Sequence, residues 1–241
     1  MSNVRIGAGK NSNNSFGKVT FKPECPYVII CEGKDEFSFL IAYLNYLQKN
    51  EESFIDCYNV LDFGGITDVS QGIDNIKKYP HYEDMKAFLI VRDAELDAEA
   101  AKCSIKNHVK QVWEIDLKDN GEMKVSNDDT KIGYYLLPGI DENGEFSNGT
   151  LEDLCLDIID ARIDKIPTSE VLSSVDKYMG EVIAQRGKDF SRPHKNRLHL
   201  YLSSTDEYVG AKVGEAAKWG AFDMSSPKLD MLKRMILEMQ N

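Results

Sequence analysis

Glu32 and Glu36 follow directly on a five-residue apolar run, Tyr27 to Cys31. Asp93, Glu95 and Asp97 follow on a second run, Ala87 to Val91. Short apolar runs bounded by a glycine turn or by charges read as buried strands of a parallel sheet. Ligands of such sheets bind beyond the carboxyl ends of the strands. If the two strands are neighbours, all five carboxylates converge on one rim. Like charges about 4 Å apart repel by about 4 kcal/mol at an effective dielectric near 20. A divalent cation, which prefers hard carboxylate oxygens, is the ordinary way to make that arrangement favourable. The alternative reading is a set of solvated acids at helix starts, where the helix dipole favours them. Asp35 in particular reads as an N-cap.

The elements that must position these acids follow from pattern. Residues 1–24, rich in Asn, Gly, Ser and Lys, read as a polar arm. Strand 27–31 leads into a helix over about 35–49, with Phe37, Leu40, Ile41, Leu44 and Leu47 on one face. A strand over 54–62 ends at Gly64-Gly65, and a helix then runs to about Lys78 before Pro80. Strand 86–92 and a helix over 97–110 complete a β-α-β-α-β-α order, the pattern of a parallel α/β sheet. Val112 to Leu117 alternates like a half-exposed strand, and Asp119-Asn120-Gly121 predicts a hairpin returning over 122–125. A strand over 134–137 precedes a loop and a helix capped by Thr150. The last third reads as helical, with starts at Ser191-Arg192-Pro193 and near Ser226-Pro227. The expected division is 1–24, an α/β domain over 25–165, and a helical part over 166–241 packed on it.

Glu152 and Asp153, just after Thr150, suit a helix N-terminus decorated with acids. The segment 186–199 is the one basic concentration in the chain. It holds Arg192, Lys195 and Arg197, and places Lys195 and His199 one helical turn apart. Cations there could hold a phosphate, or form a solvated face that pairs with surplus acids. Trp113 and Trp219 read as packing residues.

A formal net charge of −11 argues against broad adhesion to DNA or to an acidic membrane. No apolar run approaches the roughly 20 residues of a membrane span. The five cysteines are scattered with no CxxC spacing, and no export signal is seen. Reduced thiols and a cytoplasmic location are therefore expected. No GxxxxGK[ST] occurs, so the chain carries no ATPase motif of that kind.

The segment 28–36, with Glu32-Gly33 and Glu36, resembles the first motif of the Toprim domain of topoisomerases, primases and OLD (overcoming lysogenization defect) nucleases. Asp93-Ala94-Glu95 stands where that family carries Asp-x-Asp, with Glu95 replacing the second aspartate. Gly64-Gly65, 133–138, 149–153, Lys195 to Leu202, Gly210 and Gly214 extend the likeness to small stand-alone Toprim proteins over roughly residues 25–240. The resemblance implies a Toprim-like, mostly parallel sheet flanked by helices, and Mg²⁺ or Mn²⁺ as cofactor. It implies metal ligands among Glu32, Glu36, Asp93, Glu95, Asp97 and Glu152. Glu32, Asp93 and Lys195 would act in catalysis, and Arg192, Lys195 and Arg197 would hold phosphate. The activity implied is a metal-dependent nuclease cutting or nicking DNA or RNA, in phage defence or nucleic-acid repair. The alternative is a non-catalytic module that binds metal and nucleotide or RNA, or scaffolds a complex. Nucleic acid and a separate ATPase subunit are the partners implied. Fold-level likeness alone does not choose between them.

Overall fold

The computed structural model describes residues 4–7, 21–55, 57–63, 66–161 and 168–241. Within these, a six-stranded sheet is built from β1 (Val4–Gly7), β2 (Tyr27–Cys31), β3 (Tyr58–Asp62), β4 (Ala87–Asp93), β5 (Lys124–Val125) and β6 (Lys131–Leu137). The spatial order is β1-β3-β2-β4-β6-β5. All neighbours are parallel except the β5–β6 pair. The helices are α1 (Lys34–Asn50), α2 (Ile66–Asp74), α3 (Ala98–Trp113), α4 (Leu151–Asp160), α5 (Thr168–Arg186), α6 (Pro193–Ser203), α7 (Val213–Lys218) and α8 (Asp230–Glu238). The fold is thus a mixed α/β one, with a mostly parallel sheet flanked by helices and a helical C-terminal region. No described helix is long and apolar enough to cross a membrane.

Parallel strands covered on both faces must be apolar throughout, and β2, β3 and β4 are buried at every position. Strand alternation divides their side chains between two cores. Ile29, Cys31, Leu89 and Val91 pack with α1, α4, α6 and α8, for example against Leu44, Leu154, Leu202 and Leu232. Val28, Ile30, Phe88 and Ile90 pack with Ile105, Val109 and Trp113 of α3. The C-terminal helices therefore share one core with α1 and the sheet. The expected boundary at 165/166 and Gly64-Gly65 lie outside the described residues.

Several expectations are corrected. Residues 1–24 are not only a polar arm: Val4–Gly7 adds a parallel edge strand to β3, and Phe21 is buried in the second core. Residues 112–117 do not form a strand. α3 runs on to Trp113, whose ring is buried against Phe88 and whose Nε1–H donates to Tyr82 Oη at 2.8 Å. The hairpin forms instead between β5 and β6, closed by the Ser126 N–H to Thr130 O bond of 2.8 Å. Gly33, not Asp35, is the N-cap of α1. Asp35 Oδ1 accepts the Gly214 N–H near the start of α7 at 3.1 Å. Trp219 is 58% exposed and does not pack in the core.

Candidate functional site

The strand order makes β2 and β4 direct neighbours with Cys31 opposite Val91. Continuing that register past the strand ends sets Glu32 beside Arg92 and Gly33 beside Asp93. Alternation sends Asp93 to the face covered by α4, and Arg92 to the face covered by α3. Asp93 Oδ1 accepts the Leu151 N–H at 2.9 Å, so this carboxylate sits at the N-terminus of α4, where backbone N–H groups favour negative charge. Arg92 Nη1 donates to Ser104 Oγ of α3 at 3.4 Å. Glu36 lies in the first turn of α1. Gly33 is extended (φ −147°), a conformation open to any residue. A Cβ there would stand 2.8 Å from Glu36 Oε2, so its glycine leaves room for that carboxylate.

α4 supplies the next layer. Glu152 is 6% exposed. Its Oε2 accepts the Thr150 hydroxyl at 2.9 Å and its Oε1 pairs with Lys195 Nζ at 3.1 Å. Asp153 Oδ2 reaches back to the Thr150 N–H at 2.8 Å, fixing the helix start. On the rim, the Glu95 N–H and carbonyl both bond Gly149 at 2.7 Å. Glu95 is held at φ 57°, unusual for a residue with a Cβ. Its partner Gly149 has φ 141°, and a Cβ there would meet Asp153 Oδ2 and Pro138 Cδ at 2.9 Å. The loop carrying Glu95 is thus pinned in a strained conformation, of the kind that concentrates at functional sites.

The electrostatics set this rim apart. Burial, then Glu36 and Glu32, push Asp93 up to about 9. Burial, then Glu36, push Glu32 up to about 7, against the pull of Arg92 and Lys195. Burial pushes Glu36 up to about 6, with Asp35 and Glu152 adding to it. Glu152 goes the other way: although burial opposes it, Lys195 and the Thr150 hydroxyl hold it below the usual carboxylate range. One buried and two partly buried carboxylates therefore share a site without enough positive charge. Glu32 Oε2 is buried with no hydrogen-bond partner.

The structure brings together Glu32, Glu36, Asp93, Glu152 and Lys195, with Glu95 acting on Glu32 from the exposed rim. Asp97 is exposed and spends Oδ1 on the Ala100 N–H at 2.9 Å as the N-cap of α3. Arg197 is bound to Asp176 by two bonds of 2.8 and 3.0 Å. Arg192 is the exposed N-cap residue of α6. Arg92 is the addition that sequence reasoning missed, and Thr150, expected only as a helix cap, also holds Glu152. A charge closing an apolar strand was the available signal for Arg92. The donor set of Glu32, Glu36 and Asp93 is all carboxylate oxygen, which suits a hard divalent cation. It is more widely spread than one ion's inner shell. Among the described residues, the trio of ligand atoms within 4.8 Å of one another is His81, Glu83 and Asp84, all exposed.

A family model described as a protein of unknown function (DUF3226) matches residues 26–240. No curated protein and no solved structure matches the chain. The family match takes in β2 to α8, and with them every residue of the rim just described, so the protein belongs to the DUF3226 family.

Proposed function

We infer that the protein is a Mg²⁺- or Mn²⁺-dependent Toprim-type nuclease that cuts or nicks phosphodiesters of DNA or RNA. The observation carrying this reading is the largely shielded, charge-deficient carboxylate group of Glu32, Glu36 and Asp93, gathered where two adjacent parallel strands end. The unpartnered Glu32 Oε2 is an acceptor that a bound cation would satisfy. When bound, such an ion would stabilise charge on the attacked phosphate and leaving oxygen. The chain's own residues do the rest. The Leu151 N–H fixes the orientation of Asp93. Thr150 and Lys195 lock Glu152, which in turn holds the lysine over the rim. Left unligated, Glu32, raised to about 7, would instead suit proton transfer at neutral pH. A role in phage defence or repair, beside a separate ATPase subunit, belongs to the same proposal.

The second reading is a module that binds metal and nucleotide or RNA without catalysis. The wide spacing of the carboxylates and the neutralisation of Lys195 by Glu152 favour it. Incubating the protein with supercoiled plasmid and single-stranded RNA, plus Mg²⁺ or Mn²⁺, decides between them. Metal-dependent cleavage that vanishes in Glu32→Gln and Asp93→Asn supports the nuclease. Metal binding by calorimetry without cleavage supports the module.

A further inference from the structure

Arg92, the penultimate residue of β4, is 8% exposed and makes no ion pair with another described residue. Its Nη1 contact with Ser104 is at the long end of the hydrogen-bond range. Its Nε is buried with no partner. A buried guanidinium with an unmet donor is unfavourable unless something else meets it. The carboxylate beside it in the β2–β4 register is in the same condition, since Glu32 Oε2 is also buried and unpartnered. The two charges feel one another, because Arg92 is among the groups that pull Glu32 down. Side by side, with one unused atom each, they define a ligand position. It asks for an acceptor on the arginine side and for a donor or cation on the glutamate side.

The other cations of the rim do not make this demand. Lys195 is paired with Glu152, and Arg197 is forked onto Asp176. Arg192 is exposed, so water meets its donors. We propose that Arg92 is the oxyanion-binding residue of this site, donating to a phosphate oxygen of the substrate beside Glu32. A planar guanidinium suits that task, because its charge-assisted bonds to phosphate are directional. The inference rests on the phosphodiester reading for the identity of the substrate, but the anion-binding chemistry can be tested without it.

The test is a titration of inorganic phosphate into the full chain labelled with ¹⁵N-arginine, with and without Mg²⁺. The readout is the Arg92 Nε–H resonance, assigned by its loss in Arg92→Lys and independently by its perturbation in Ser104→Ala, should the first variant fail to fold. The resonance is expected to shift and saturate. Calorimetric affinity for phosphate should fall about tenfold or more in Arg92→Lys, the loss expected when a charge-assisted bond is removed. In Lys195→Met it should change much less. A resonance that stays put at millimolar phosphate, or a loss that falls on Lys195→Met instead, overturns the proposal. A moving resonance in a protein that cuts neither plasmid nor RNA removes the nuclease and leaves the anion site. Cleavage with an unmoved resonance does the reverse.

Discussion

Asp116, Asp119 and Glu122, around the loop after α3, are chemically the same groups as Glu32, Glu36 and Asp93 at the strand ends, and they have met the opposite fate. Each of the first three has its own lysine: Lys110 at 2.8 Å, Lys106 at 2.5 Å and Lys118 at 2.6 Å. These lysines hold them below the usual carboxylate range. Of the second three, Asp93 is buried and Glu32 and Glu36 are partly buried; they crowd one another and are all raised. An acidic chain can therefore neutralise its charge locally where only solubility is at stake. It has not done so at one rim. Exposed ion pairs carry little stability or information, whereas an unbalanced buried cluster opposes folding and calls for another explanation.

The sharpest way to break this contrast is Asp93→Asn. Its amide oxygen can still accept the Leu151 N–H, while the side chain can no longer ionise. Cleavage should drop by a factor of about 100 or more, the scale of a lost transition-state electrostatic contact. The metal-free protein should meanwhile become more stable at pH 8 by about 1 to 3 kcal/mol, because the carboxyl must take up a proton or bury a charge on folding and the amide need do neither. Lower stability in denaturant titrations would show that the repulsion read here is not present.

The next effect is on pH dependence. Glu32, Glu36 and Asp93 have folded-state values above those of an unfolded chain, so the folded state binds more protons. Their contribution to stability is thus fully present at low pH and is lost as pH rises through about 6, 7 and 9. The metal-free melting temperature should decline across that window. Added Mg²⁺ should raise it more at pH 8.5 than at pH 5.5, because ions bind the deprotonated ligands. A thermal-shift series that is flat in pH, or equally responsive to Mg²⁺ at both values, would count against the cluster.

Glu152→Gln comes third. It strips the half-buried Lys195 of its partner while keeping an acceptor for Thr150. Solvent at Lys195 limits the cost to about 1 kcal/mol in chemical denaturation. Since Glu152 helps to raise Asp93 and Glu36, part of that loss should be regained above pH 8. Asp119→Asn is the smallest change. Removal of an exposed paired carboxylate should leave melting temperature and cleavage unchanged within error, which sets the baseline for the other variants.

Much of this arrangement was legible in the chain. The apolar runs before Glu32 and Asp93 marked two buried strands, because a strand covered on both faces has no place for polar side chains, while their adjacency came only from the sheet order. Thr150 marked the start of α4, and Pro193 that of α6, because helix N-termini leave donors that only certain residues satisfy or lack. Local pattern failed where burial overrode it. Val112 to Leu117 alternates like a strand, yet the helix carries on to Trp113 because that ring fills the core against Phe88. Asp35 looks like a cap for α1 and instead serves α7, 179 residues away. Cys25 and Cys57 gave no sign of each other, yet their sulfurs lie 2.8 Å apart at the opposite ends of the strands from the acid rim.

Residue types and spacing by themselves determined the α/β class, the pairing of an acid cluster with each of two strand ends, and the placement of Glu152 and Lys195 on helices. Tertiary structure alone decided which charges are satisfied. Asp97 went to a helix cap, Arg197 to Asp176, and Lys195 to Glu152. Arg92 and Glu32 were left with unmet atoms at the same edge. The physical reason is that a charge's state depends on burial and on neighbours distant in sequence. Periodicity reports only the face that a residue occupies, not the partner it finds there.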